Sequence, residues 1–266
     1  MVNILPNRPS VELLRRMVAR SGQAGAYSSI GHAGIDRALG GGLARGRLHE
    51  MFTSDVADAA SAAGFATMIG CRLGGHIVWL REEQAERQGG AVFAPGLRDI
   101  GIDPARLVLG VLPDPLAVLR AAADVARCSG VGVAVIELWR NPGFLDLTAS
   151  RRLALAAEKS GVTLLLLRVA AKPLPSAAQT RWKVQSAPSL PLEANATGHP
   201  ALEVELLRQR GRPPAGPWQL EWSRDEASFR NRDDRRATLS GTMVPLPAGG
   251  SGDAGSGVPL RRAAAG

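Results

Sequence analysis

Four short apolar runs constrain this chain more than any other feature. They are Ile77–Leu80, Leu107–Val111, Val131–Leu138 and Val162–Val169, and stretches of helical spacing separate them. A strand that is apolar at nearly every position, without polar alternation, has to be covered on both faces. Chains satisfy that demand with parallel strands and crossover helices, so the order predicts βαβ units and a mostly parallel sheet. Ala59–Leu73, Phe93–Ile100, Pro115–Cys128 and Thr148–Lys159 are the predicted helices, with Gly161 placed to end the last. Arg47–Phe52 reads as a further strand, and Thr53–Asp58 as the loop that follows it.

After Ala170 the pattern changes. Arg181–Gln185, Leu202–Arg208 and Trp218–Trp222 alternate and are joined by Gly/Pro turns, which predicts an antiparallel extension of the sheet. Before the core, Ser10 can cap a short amphipathic helix carrying Val11, Leu14 and Val18 on one face. A second short helix with Ile35 and Leu39 is cut by Gly40, Gly41 and Gly42. Three segments are therefore expected: an N-terminal helical segment at 1–25, the core at 26–224, and a flexible tail at 225–266, disordered from about Arg230.

Composition removes several function classes. The chain has 266 residues, 45% of them hydrophobic, enough for one good-sized α/β core. No apolar stretch reaches 18 residues and the first ten residues do not form a secretory signal, so a cytoplasmic protein with no membrane contact is expected. Cys71 and Cys128 sit in apolar, helix-like segments and read as buried thiols. The four histidines show no metal-ligand spacing. A net charge of +8 suits a polyanionic partner, although all but three of the basic residues are Arg, as a GC-rich genome would also produce.

The most telling motif is one that is missing. A phosphate-binding loop needs glycines that expose backbone N–H groups, a Lys for the β/γ-phosphates and a Ser/Thr for Mg²⁺. Its place here, between the strand ending at Phe52 and the following helix, reads Thr53-Ser54-Asp55-Val56-Ala57-Asp58-Ala59-Ala60. Thr53 and Asp58 take the glycine positions, Ala59 the Lys position and Ala60 the Ser/Thr position. Two carboxylates would face a triphosphate with no amine to offset them, and no Gly-Lys pair occurs anywhere in the chain. A Gly-rich match at Gly250, Gly252 and Gly255 lies in a Pro/Gly/Ser stretch without a preceding strand. The common hydrolase and metal signatures are absent from the sequence. No enzyme activity, cofactor or metal is expected.

The segment Ile35-Asp36-Arg37-Ala38-Leu39-Gly40-Gly41-Gly42-Leu43, followed by Gly46-Arg47-Leu48-His49-Glu50, resembles the approach to the nucleotide loop of RecA. By that resemblance Val131–Leu138 stands for the Walker B strand, with Glu137 in place of its Asp, and Glu82 stands where the family keeps a catalytic carboxylate. More narrowly, Phe93-Ala94-Pro95-Gly96-Leu97, Gly101–Leu107, Thr180–Val184, Glu203–Arg212 and Trp218–Trp222 are similar to the ImuA family. The family implies a RecA-like three-layer core with a degenerate P-loop, acting without catalysis in SOS-induced, error-prone translesion synthesis. Its implied partners are an ImuB-type Y-family polymerase homologue and ImuC, the error-prone replicative-type polymerase. RecA and single-stranded DNA extend that set. The stretch between Val131 and Val162 is too short for the first DNA-binding loop of RecA, which argues against recombinase-style filaments.

Gln179, Arg181, Trp182 and Lys183 fall where RecA has its second DNA-binding loop and are the candidate nucleic-acid or partner contacts. An aromatic between cations can stack on bases, yet strand geometry turns Trp182 away from both cations and toward a core. Glu82 and Glu83 are expected as solvated charges, and Glu137 as the partner of Arg140 or Arg151. Trp218, Leu220 and Trp222 share one strand face and are expected in the core. Two alternatives stand beside the adaptor reading. One is a SulA-like inhibitor of the tubulin-like division protein; the other is an ATPase using Arg45 or Arg47 in place of the missing Lys.

Overall fold

The computed structural model describes residues 26–192, 194 and 196–232. The expected N-terminal helix and most of the tail lie outside the described residues.

The predicted alternation is present, with small boundary shifts. Strands β1 (Tyr27–Ser28) and β2 (Leu43–Ala44) pair as a small ribbon around helix α1 (Ala33–Leu39). The main run is β3 (Leu48–Phe52), α2 (Ala59–Leu73), β4 (Ile77–Glu82), α3 (Glu83–Gly89), α4 (Ala94–Asp99), β5 (Leu107–Leu112) and α5 (Pro115–Val125). It continues through β6 (Val133–Trp139), α6 (Leu147–Ser160), β7 (Thr163–Val169), β8 (Thr180–Ser186), β9 (Ala201–Gln209), β10 (Ala215–Ser223) and β11 (Ser228–Asn231). Asp114 and Asp146 cap α5 and α6 by accepting from the N–H groups of Ala117 and Ala149, and Gly161 closes α6 at φ 82°.

Nine strands form one sheet in the order β11-β10-β9-β8-β3-β7-β6-β4-β5. From β8 to β5 every pairing is parallel; from β8 outward to β11 every pairing is antiparallel. Alternate residues of the parallel strands feed two cores. On one face, Met51, Val135, Leu165, Leu167 and Trp182 pack with Phe65, Ala66 and Ile69 of α2. On the other, Leu48, Ile136, Leu164 and Leu166 pack with Val118 and Ala122 of α5 and Leu153 and Ala157 of α6. The architecture is three layers, helix–sheet–helix.

Several expectations need correction. The sheet does not stop at residue 224: β11 pairs with β10, matching Trp222 with Phe229, so the ordered core reaches Asn231. Helix α3 lies in a stretch for which the apolar spacing predicts no element. Cys128 is exposed because it lies in the turn beyond the end of α5, and Cys71, in α2, is half-buried.

Candidate functional site

In an open α/β sheet the loops at the carboxyl ends of the parallel strands form the natural binding edge. Here that edge is closed by polar contacts made within the chain. Thr53, first residue after β3, donates from its hydroxyl to the Asp55 carbonyl and accepts from the Ala170 N–H at 3.2 Å. The Thr53 N–H bonds the Arg168 carbonyl, and the Thr53 carbonyl accepts from Ala171. Asp55 turns back on its own loop and accepts from the Ala57 N–H at 2.8 Å. Asp58, buried at the start of α2, accepts from both the N–H and the hydroxyl of Ser186, each at 2.8 Å. The chain thus ties its first loop to the ends of β7 and β8.

Each face of the sheet carries one buried ionic cluster at this end. On the α2 face Glu137 is 3% exposed, and both its oxygens are engaged. The indole N–H groups of Trp79 and Trp139 donate to it at 3.0 and 2.7 Å, and Arg81 approaches at 3.3 Å. Arg81 also donates to the Gly90 carbonyl. The expected partners Arg140 and Arg151 are not used: β4 lies beside β6 and places Arg81 within reach of Glu137. Glu82 is also not the solvated charge expected. It is buried, and burial pushes its carboxyl above the ordinary carboxylate range, with the charges of Glu137 and Asp114 adding to the effect. Glu83 is exposed and pairs with Arg87 at 2.8 Å.

On the opposite face, Glu50 holds the Arg181 guanidinium at 3.0 Å and the Ser176 hydroxyl at 2.7 Å. Arg168 stands beside them, donating to the side-chain oxygen of Asn141 at 2.6 Å and to the Arg140 carbonyl. Both guanidinium groups lie over the Phe52 ring, 5.8 and 5.9 Å from its centre. Burial pushes Arg168 down from its ordinary value, Glu50 opposes that shift, and Arg181 adds to it. Two buried cations share one buried carboxylate, and cation–π contact and hydrogen bonds supply the remaining compensation.

The structure separates the candidate contact residues. Gln179 is half-buried and its N–H bonds the Leu48 carbonyl. Arg181 and Lys183 face the α5/α6 side; Arg181 is buried under the chain that leads into β8 and donates to the Leu174 carbonyl. Trp182 points to the α2 core, fully buried, edge-on to Phe65 with ring centres 6.0 Å apart. No stacking platform of aromatic between cations forms. Trp218, Leu220 and Trp222 do lie on the core side, Trp218 only partly buried.

A cleft of about 330 Å³ opens beside Glu137. Ala59, Ala63 and Gly64 of α2 form one wall, Val92, Phe93 and Leu97 another, and Trp79, Arg81 and Trp139 the floor. Its acid and its base are already paired, so the floor is close to neutral. Such a cleft suits an apolar group better than a phosphate. Among the described residues, no cluster of His, Cys, Asp and Glu has the arrangement to hold a metal ion, and no helix is long and apolar enough to cross a membrane.

A buried relay on β3 and β8 was not legible in the sequence. The Trp182 indole donates to the Thr180 hydroxyl, which lies 2.7 Å from Nδ1 of His49, while His49 Nε2 lies 2.8 Å from the Ala44 carbonyl. A carbonyl can only accept, so Nε2 carries the proton and Nδ1 accepts from Thr180. Burial pushes His49 down to about 4. A polar residue inside the run Leu48–Phe52 was the available signal.

No known family profile matches the chain. It is 36% identical over 211 residues to the protein called ImuA in two strains of Caulobacter vibrioides, a match covering 73% of this chain and 82% of those proteins. Among solved structures it is similar to the RadB recombinase, with TM-score 0.52 and 16% identity, over 76% of this chain and 98% of that one. At that identity the likeness speaks for the fold alone. The fold is a RecA-like α/β core, mostly parallel with an antiparallel extension, as the resemblance implied.

Proposed function

Because this chain belongs to the ImuA family, we propose that it is a non-catalytic adaptor of damage-induced mutagenesis, a RecA-like core that has exchanged nucleotide binding for partner binding. The observation that carries this reading is the fate of the loop after β3. Asp58 stands at a position where a phosphate loop needs a bare glycine, and its carboxylate is bonded to Ser186. Ala59 and Ala60 offer neither an amine nor a hydroxyl. A triphosphate there would meet a fixed negative charge in a partly desolvated setting, which costs several kcal/mol. The carboxylates that stand where the RecA resemblance puts hydrolytic groups support the same reading: Glu137 is held by two indoles and an arginine, and Glu82 is buried.

In this role the protein assembles with an ImuB-type Y-family polymerase homologue and, through the complex, with the error-prone replicative-type polymerase. RecA and single-stranded DNA are further candidates for contact. Two measurements test the proposal. Thermal unfolding with 1 mM Mg-ATP is expected to match unfolding without it. A micromolar site would contribute about 4 kcal/mol at that concentration and raise Tm by on the order of 10 °C. Such a shift, or ATP hydrolysis stimulated by single-stranded DNA, overturns the non-catalytic reading. The second measurement is co-purification with the polymerase homologue of the same cassette, whose failure overturns the adaptor reading.

A further inference from the structure

Helix α6 buries Ser150, Leu153 and Ala157 against the sheet. At 100° per residue, Leu155 lies about 160° around from both Leu153 and Ala157, on the crest of the outward face. It is 58% exposed, a large apolar side chain at the point of the helix farthest from the core. One turn away on either side stand Arg151, Arg152 and Lys159, all exposed and none with an ion-pair partner among the described residues. Glu158, the one acid of that face, is taken by Arg47. Leu147, 43% exposed, lies at the amino end of the helix, about two turns and roughly 80° around from Leu155.

An apolar centre inside a cationic ring is the layout of a protein-binding spot, in which rim charges exclude water and select a partner of opposite sign. We propose that the outer face of α6 docks an acidic, amphipathic segment of a partner protein. A leucine-type side chain of that segment covers Leu155, and its carboxylates meet Arg151, Arg152 and Lys159. Nucleic acid fits the cations but leaves the exposed leucines against phosphates, with nothing gained for their burial. The chain's own ends do not complement the ring either. Residues 1–25 carry Arg8, Arg15, Arg16 and Arg20 against Glu12, and residues 233–266 carry four arginines against three aspartates. Both are net positive, as is the whole chain at +8, which also disfavours a second copy as the occupant. The proposal rests on the adaptor reading and names the chemistry of one partner contact.

The test uses the full chain, the variant Leu155→Ala, and a triple reversal Arg151→Glu/Arg152→Glu/Lys159→Glu. All the altered side chains are exposed, and unchanged Tm values confirm that both variants fold. The probes are a labelled synthetic peptide with leucines and glutamates at helical spacing, a 20-nucleotide single strand and a 20-base-pair duplex. The peptide is expected to bind the wild type, about fivefold more weakly after Leu155→Ala and at least tenfold more weakly after the reversal, with the leucine change leaving DNA binding unaltered. Absence of peptide binding, or peptide binding indifferent to both variants, overturns the proposal. So does a reversal that weakens DNA binding alone, or self-association that the variants abolish. Capture of the cassette's polymerase homologue keeps the two readings apart. Capture that survives both variants sinks this surface only, whereas no capture by the wild type sinks the adaptor itself.

Discussion

His49 shows how much one buried side chain can weigh on this molecule. Its neutral ring is completed by a carbonyl on one side and the Thr180 hydroxyl on the other, and Trp182 is tied into the same relay. A proton added at Nδ1 would force the Thr180 hydroxyl to turn from donor to acceptor and would place a charge in the core. The folded state therefore holds the ring neutral down to about pH 4, whereas the unfolded chain takes the proton below about 6.5. The resulting stability is complete above 6.5 and is lost as the pH falls toward 4, reaching roughly 3 kcal/mol. Urea unfolding of the wild type is expected to weaken between pH 6.5 and 5, and His49→Gln to flatten that slope. Equal slopes in the two proteins would refute the assignment. At this scale residue types were legible, but their pairings were not. Glu137 interrupts an apolar run and so needs a partner, yet Arg81 lies 56 residues away in sequence and only the juxtaposition of β4 and β6 joins them.

Elements follow the apolar pattern wherever that pattern is dense. Ala59–Leu73 forms as read, and the strands near Ile77, Leu107, Val133 and Thr163 form within a few residues of the expected bounds. The short strands β1 and β2 were not foreseen, nor were α3 and β11, which have one buried anchor each. Helix α3 buries only Ala85, and β11 buries only Phe229, so neither writes a period into the sequence. Strand β11 exists because β10 offers it an unpaired edge and a hydrophobic socket. Phe229 packs edge-on to Trp222 at 4.8 Å and against Phe65 at 5.4 Å. Phe229→Ala is expected to lower stability by about 3–5 kcal/mol in urea unfolding. A loss below about 1 kcal/mol would mean that β11 is an appendage and that the core ends near residue 224 after all.

Across the whole molecule, the sheet couples the two helical layers, because neighbouring residues of one strand enter different cores. Leu165 and Leu167 pack toward α2, and Leu164 and Leu166 toward α5 and α6. Neither layer can open without exposing half of β7, so a single cooperative transition is expected. All five tryptophans pack in or against the α2 core, so indole fluorescence follows one layer while far-UV circular dichroism follows both. The two denaturation curves should coincide, and curves that separate would show independent layers. The antiparallel extension expected from Arg181 onward begins only at β9, because β8 still pairs parallel with β3. The amino-acid order alone settled the class of fold, the presence of a late antiparallel extension, and the absence of a Gly-Lys phosphate-loop motif. All of these are local facts of side-chain type and spacing. The partners of the buried charges, the burial of Arg181 and Glu82, and the outward turn of Leu155 amid exposed cations were decided by three-dimensional packing. Desolvation and contact act between residues that the chain brings together only when it closes on itself.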